Sequence, residues 1–121
     1  MFELRWDGKK THEKQLDHKG FYIWSSSTLY PTQIREQRDS WFLEWLAGRS
    51  DFSLEAIQQF HRSGGDGDTW NGFIMNRDGR VQTVSITNVV KKTDSIGLIY
   101  NDLLRNQLKR DYLNLKRYSE T

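Results

Sequence analysis

Histidine is the side chain best suited to proton transfer near neutral pH, and this sequence has three of them. The most informative is His61, which comes at the end of a predicted helix and before the glycine-rich, acidic segment 63–71. A histidine at a helix C-terminus interacts favourably with the helix dipole, so a structural role is one interpretation. The other interpretation is that His61 meets Asp66 or Asp68 at a functional site.

Four consecutive hydroxyl side chains occupy positions 25–28. Ser26 or Thr28 could act as a nucleophile if a base such as His61 lay within hydrogen-bond reach. The run lacks the flanking glycines of a nucleophile elbow, and such runs are also typical of turns in which hydroxyls bind the nearby backbone. A Ser/Thr-dependent amide hydrolase is therefore one functional hypothesis.

Two arginines, Arg35 and Arg38, lie three residues apart on the helix that follows. This spacing places them on the same side of a helix, where they could clamp a carboxylate or a phosphate. They could equally form ion pairs with Asp39 or Glu44 in solvent. The sequence leaves both interpretations open.

Two central helices position these side chains. The first is predicted from Pro31, which suits a first helical turn, to Gly48, which suits a left-handed C-terminal cap. The second is predicted to begin after Ser53 as the N-cap and to end before Gly64.

Strands are predicted on both sides of these helices. Turn dipeptides at Asp7-Gly8 and Asp78-Gly79 indicate two hairpins, the second with arms at 72–77 and 80–90 and with Val84 and Ile86 facing the core. Further strands are predicted at 21–24 and 96–100. An apolar stripe at helical spacing predicts a C-terminal helix over 101–118, and the segment from 104 to 121 is basic.

This order of elements predicts an α+β fold with a mostly antiparallel sheet, two central helices and a C-terminal helix. The 121 residues are expected to form a single domain. No cysteine is present, which excludes disulfides, thiolate metal sites and a cysteine nucleophile. No apolar run has a membrane-spanning length, and the expected location is cytoplasmic.

The net charge of +2 arises mainly from basic residues near the C-terminus. They are Arg105, Lys109, Arg110, Lys116 and Arg117, with Asp102 and Asp111 among them. A solvated helix face explains this pattern, and neither a nucleic-acid partner nor a membrane partner is expected.

Several segments, in order and spacing, resemble the C-terminal part of bacterial NRDE-family proteins, which are related to the transport-and-Golgi-organisation proteins of eukaryotes. The segments are Trp24-Ser25-Ser26-Ser27-Thr28-Leu29-Tyr30, then Arg35, Arg38, Trp41 and Phe42, then Phe60-His61, Gly65-Asp66 or Gly67-Asp68, Met75-Asn76-Arg77, Thr83-Val84-Ser85-Ile86-Thr87 and Tyr100-Asn101-Asp102-Leu103. The name-giving motif itself is absent, because Gly79 follows Asn76-Arg77-Asp78 where the family has Glu.

The resemblance implies part of an αββα sandwich like that of N-terminal-nucleophile hydrolases. In that family a Cys after the initiator Met is the candidate nucleophile, and its α-amino group could serve as the base. This sequence has Phe2 at that position. The resemblance therefore implies a non-catalytic C-terminal portion of an NRDE-type protein, which contributes packing and part of a ligand pocket. Its partner would be the N-terminal portion, or a second copy through an uncovered sheet edge.

Two alternatives remain beside this hypothesis. One is the Ser/Thr-dependent amide hydrolase. The other is a stand-alone small-ligand module, and the eukaryotic relatives suggest haem as its ligand, with His61 as axial ligand and Trp70 and Phe73 as a flat apolar surface. No catalytic residue and no metal ligand are assigned. The candidate ligand-binding residues are Ser26, Thr28, Arg35, His61, Asp66 and Asn76.

Overall fold

A computed structural model describes residues 1–115 of the chain. The elements in chain order are β1 (Phe2–Trp6), β2 (Thr11–Gln15), α1 (Thr32–Leu46), α2 (Leu54–Ser63), β3 (Asn76–Arg77), β4 (Val81–Gln82), β5 (Ser85–Lys91), β6 (Ser95–Asp102) and β7 (Gln107–Asn114). All strand pairs among the described residues are antiparallel, and two helices lie between them in the sequence. The predicted α+β class is confirmed.

The N-terminal hairpin joins β1 to β2 through the Asp7-Gly8 turn. The Asp7 carboxylate fixes this turn, since Oδ1 accepts the amide protons of Lys9 at 2.8 Å and Lys10 at 2.9 Å. Its Oδ2 lies 2.6 Å from Nε2 of His12. Gly8 has a φ of 94°, a conformation that glycine adopts without steric cost.

The strand predicted at 21–24 is wrong, because these residues form no ladder with any described strand. Their side chains make the contacts instead. The Tyr22 hydroxyl donates to the Asp17 carbonyl at 2.9 Å, Trp24 Nε1 donates to Glu3 at 2.6 Å, and the Phe21 ring packs on Phe52. A run of four apolar residues does not specify a strand when its aromatic side chains contact different parts of the chain, as they do here.

Both central helices are confirmed. Pro31 is the N-cap residue of α1, and Gly48 after its end has a φ of 68°. Ser53 caps α2, with its hydroxyl accepting the Ala56 amide proton at 3.2 Å. Each boundary was predictable because the capping signals are local in sequence.

The second predicted hairpin is confirmed only at its turn. Asp78 and Gly79 have φ values of 54° and 69°, and the ladder between β3 and β4 contains two residue pairs. The chain then breaks at Thr83, whose hydroxyl accepts the Met75 amide proton and donates to the Phe73 carbonyl. Because of this break, β5 pairs with β6 instead, and Val84 is exposed while Ile86 is buried. The expectation that Val84 faces the core is wrong.

The predicted C-terminal helix is also wrong. The chain continues in β6 to Asp102, turns at 103–106 and returns as β7, while positions 116–121 of the prediction lie outside the described residues. Asp102 Oδ1 accepts the amide protons of Leu104 and Arg105, and Asn106 has a φ of 51°. These are turn features that oppose a helix. The basic residues Lys109 and Arg110 therefore lie on a strand.

The inner face of the three-stranded sheet β5-β6-β7 is buried at positions of β5 and β6, whereas the residues of β7 are exposed on both faces. Ile86, Asn88 and Ile99 are buried on the inner face, where Gln58 of α2 donates to Asn88 at 3.2 Å. On the same face the Tyr112 ring lies over Gly97, where a Cβ would be 3.1 Å from it. No side chain in the described part of the chain is completely buried, so the core is shallow.

Candidate functional site

The hydroxyls of Ser26 and Thr28 lie together, but they bond to each other. Their oxygens are 2.9 Å apart, and Ser26 Oγ accepts the Leu29 amide proton at 3.3 Å. The Tyr30 amide donates to the Ser26 carbonyl at 3.2 Å. These are the bonds of a hydroxyl-stabilised turn, and within residues 1–115 no histidine or carboxylate is hydrogen-bonded to either hydroxyl.

His61, Asp66 and Asp68 take part in three separate hydrogen-bond systems. Nδ1 of His61 lies 2.8 Å from the Ile57 carbonyl, so this nitrogen carries a proton, and in the neutral form of the ring Nε2 is the acceptor. Asp66 accepts from Trp41 Nε1 at 3.1 Å. Asp68 accepts the amide protons of Trp70 and Asn71, both at 2.9 Å. No hydrogen bond in the described part of the chain joins His61 to either carboxylate.

Arg35 and Asn76 also form local bonds. Arg35 Nη2 donates to Thr32 at 3.0 Å, while its buried Nε has no hydrogen-bond partner among the described residues. Asn76 Oδ1 accepts the Gly79 amide proton at 2.7 Å within the hairpin turn. Of the six candidate residues, the structure therefore joins only Ser26 and Thr28 by a hydrogen bond.

Arg38 makes three side-chain hydrogen bonds in the central region, by which we mean α1, α2 and segments 20–30 and 64–77. It is only 8% exposed. Its Nε donates to Ser25 at 2.9 Å, and its Nη1 donates to the carbonyls of Asn71 at 2.6 Å and Gly72 at 2.9 Å. The described ion pairs involve other side chains, so the expected pairing of Arg38 with Asp39 or Glu44 is not formed.

Aromatic rings cover the Arg38 guanidinium. Its central carbon lies 4.2 Å from the centre of the Tyr30 ring and 4.4 Å from that of Phe73. Burial lowers the pKa of Arg38, and the nearby positive charge of Arg77 lowers it further. The Arg77 guanidinium donates hydrogen bonds to the backbone carbonyls of Trp70 and Leu29. The two arginines thus tie the 25–30 segment to the 70–77 segment, a function that residue spacing does not reveal.

An aromatic cleft of about 250 Å³ lies between segment 20–23 and the two helices. Phe42, Trp45, Phe52 and Phe60 contribute its rings, and His61 contributes the edge of an imidazole. This volume falls below the range of roughly 300–1,000 Å³ that is usual for drug-sized ligands. The residues present therefore do not fit a haem. Phe73 does lie beside His61, with 6.1 Å between ring centres, but Trp70 does not line the cleft and lies near Arg77.

Two apolar surfaces are uncovered. Val89, Leu98 and Leu113 lie on the outer face of the sheet and are 65%, 43% and 61% exposed; we call them the sheet face. Phe2, Leu4 and Trp6 lie on one side of the N-terminal hairpin and are 58%, 67% and 65% exposed; we call them the hairpin face. Sequence analysis missed the sheet face because it assigned β7 to a helix.

Comparison of the chain with protein-family models, curated proteins and solved structures gives no match. Within residues 1–115, no helix is both long and apolar enough to cross a membrane. The same residues contain no group of three His, Asp or Glu side chains that could hold a metal ion. A functional proposal therefore rests on the geometry of this chain and on the resemblance of its motifs.

Proposed function

We propose that this chain is a non-catalytic part of an NRDE-type assembly, in which the sheet face packs against a second β-sheet supplied by another polypeptide segment. That segment would carry the cysteine nucleophile that this sequence lacks. The observation that carries the proposal is the apolar character of the sheet face, which lies opposite the face that α2 covers.

The side chains on the outer face of the sheet support an interface whose second partner is not part of this chain. An antiparallel sheet with one solvated face normally alternates apolar residues on the inside with polar residues on the outside. Here each of the three strands places an exposed apolar residue on the outer face, Val89, Leu98 and Leu113, beside polar residues of the same face such as Lys109 and Asp111. Val89 and Leu98 are paired in register, so the surface is continuous between β5 and β6. Contiguous exposed apolar surface of this kind marks an interaction site.

A second sheet is the occupant that the geometry favours. Two sheets pack face to face at about 10 Å through side chains that project from each, and aliphatic rows such as Val89-Leu98 suit this packing. The inner face already holds a helix, so a sheet on the outer face would give the central ββ layers of an αββα sandwich. The resemblance implies the same architecture.

The hydrogen bonding of the central region supports a non-catalytic role. Ser26 and Thr28 bond each other, His61 Nδ1 is engaged with a helix carbonyl, and Asp66 holds Trp41. A nucleophile needs a base within about 3 Å, and neither hydroxyl is hydrogen-bonded to one within the described residues. These polar groups stabilise the fold.

A single-cysteine cross-linking experiment tests the proposal. Because the natural sequence has no cysteine, Leu98→Cys introduces a unique thiol for a benzophenone maleimide. On irradiation in the source cells, we expect a covalent product with a polypeptide that mass spectrometry identifies by a Met-Cys start and an Asn-Arg-Asp-Glu motif. Leu43→Cys on α1, where the native leucine is 64% exposed, is the matched control and should give no such product.

Two results would overturn the proposal. A product that contains only a second copy of this chain would mean that the sheet face is a self-association surface. If the Leu98→Cys variant carries the label but forms no cross-linked product, the sheet face stays open to solvent.

A further inference from the structure

The aromatic cleft has the dimensions of a small-molecule site. It lies between segment 20–23, which forms no helix or strand, and the facing sides of α1 and α2. Its volume of about 250 Å³ is suited to one or two fused rings rather than to a drug-sized molecule. The cleft is formed by this chain alone, so it does not depend on what covers the sheet face.

The walls of the cleft favour a flat aromatic ligand. Phe60 lies 4.9 Å from Trp45 and 5.8 Å from Phe42, between ring centres, and Phe52 lies 5.9 Å from Trp45 in an edge-to-face arrangement. Such walls offer both ring faces and ring edges. Aromatic pairs in offset or edge-to-face geometry are stabilised beyond the contribution of buried area. A flat ring therefore gains more here than a branched aliphatic group of equal volume.

The cleft also restricts the ligand's charge. None of the lining residues is Asp, Glu, Lys or Arg. An anionic ligand would lose its hydration without gaining an ionic partner, which is strongly unfavourable. The ligand is therefore not an anion.

One side chain supplies a directional polar contact. Nδ1 of His61 is held by the Ile57 carbonyl at 2.8 Å, which leaves Nε2 with its lone pair as an acceptor. The Tyr22 hydroxyl, also in the wall, already donates to the Asp17 carbonyl at 2.9 Å. Among the hydrogen-bonding side-chain atoms of the lining residues, His61 Nε2 is thus an uncommitted acceptor and the Trp45 indole N–H an uncommitted donor within the described residues, and the acceptor favours a ligand that donates a hydrogen bond.

We infer that the aromatic cleft binds a free planar aromatic molecule of one or two rings that is not an anion and carries a hydrogen-bond donor, such as a phenol or an indole. The aromatic rings supply the affinity, and His61 Nε2 supplies the preference for a donor. His61 is in this respect a binding residue, with no proton transfer assigned to it.

Fluorine NMR with two probes tests the inference. 4-Fluorophenol and fluorobenzene differ by one hydroxyl, so their dissociation constants isolate the hydrogen bond. We expect 4-fluorophenol to bind about fivefold more tightly, which is the usual size of one net hydrogen bond. In His61→Phe, which keeps an aromatic ring but removes the acceptor, both probes should bind equally.

A second variant covers the case in which His61→Phe does not fold. Ile23→Trp adds a large side chain from the irregular segment at the cleft wall and should abolish binding of both probes, with the circular dichroism spectrum unchanged. Absence of binding to the unmodified chain, or equal binding of both probes, would overturn the inference. So would tighter binding of N-acetyl-tyrosinamide than of p-cresol, because the cleft would then recognise a side chain of a partner polypeptide.

Discussion

The central region contains a buried aromatic cluster, whereas the sheet face and the hairpin face contain none, although both parts of the chain also expose large apolar side chains. In the central region Trp41 and Phe60 are buried, and the buried guanidinium of Arg38 reaches hydroxyl and carbonyl acceptors. On the sheet face and the hairpin face, apolar residues of similar size are about half exposed or more. The difference indicates that the centre has a packed cluster of its own, and that the apolar residues of the sheet face and the hairpin face have no such cluster within the described residues.

The largest contrast is expected from truncating apolar side chains in the two regions. Phe60→Ala removes a buried ring that contacts Phe42, Trp45 and Phe73, and should lower the free energy of unfolding by about 3–5 kcal/mol. Leu113→Ala, on the sheet face, should change it by less than about 0.5 kcal/mol. Urea denaturation of the isolated chain measures both. Equal losses would mean that the sheet face is already packed in the isolated chain.

Removal of the buried arginine should have the next largest effect. Arg38→Met leaves the carbonyls of Asn71 and Gly72 without their donor, and we expect a loss of about 2–3 kcal/mol in unfolding free energy. Arg38→Lys should recover only part of this loss, because an ammonium lacks the planar fork.

The matched control for Arg38 is Arg35→Met on the same helix. Arg35 makes one side-chain hydrogen bond, to Thr32, within residues 1–115, so its removal should cost less than about 0.5 kcal/mol. If the two methionine variants lose the same free energy, the carbonyl bonds of Arg38 do not stabilise the central region.

A smaller effect is expected at the start of α2. Ser53→Ala removes the hydroxyl that accepts the Ala56 amide proton, and should cost about 1 kcal/mol. Ser50→Ala, an exposed position before the helix, should leave the unfolding free energy unchanged. A stable Ser53→Ala variant would show that tertiary contacts, and not the cap, determine the boundary of α2.

The smallest effect concerns the pH dependence of the N-terminal hairpin. The hydrogen bond from His12, together with the amides of Lys10 and Lys9, lowers the pKa of Asp7 below its usual 3.8. Because the folded state lowers this pKa, the carboxylate stabilises the hairpin above about pH 4, and the contribution is lost as the pH falls through the folded-state pKa.

Hydrogen exchange of the β1 and β2 amides between pH 6 and pH 2.5 measures this dependence after correction for intrinsic rates. Protection in the hairpin should decrease with acid in the natural chain, and in Asp7→Asn it should already be reduced at pH 6. An acid profile in Asp7→Asn identical to that of the natural chain would contradict the role of Asp7.

The structural features that could be predicted from the sequence are those that depend on residues close together in the chain. Ser53 as a helix cap and Asp78-Gly79 as a turn are local signals, and both are confirmed. The prediction of a C-terminal helix was wrong because the spacing of positions 108 and 112 fits one face of a strand as well as one face of a helix. Pairing of β7 with β6 resolves this ambiguity, and that pairing is a tertiary contact.

The candidate site was harder to predict for a related reason. The carbonyl acceptors of Arg38 lie 33 and 34 residues away along the chain, and a backbone carbonyl carries no residue-type signal. The aromatic cleft likewise joins Phe21, Phe52 and Phe60 from three separate segments. Polar residues such as Asn76 and Asp66 attract attention in the sequence, but here they serve turns and ring contacts.

The most direct test of the proposed assembly is thiol accessibility of Leu98→Cys in intact source cells. Maleimide should label this cysteine rapidly in the purified chain and at least tenfold more slowly in cells, because a second sheet covers the sheet face there. Leu43→Cys should react at similar rates in both settings. Equal labelling of Leu98→Cys inside and outside the cell would contradict the central claim that the sheet face is an interface.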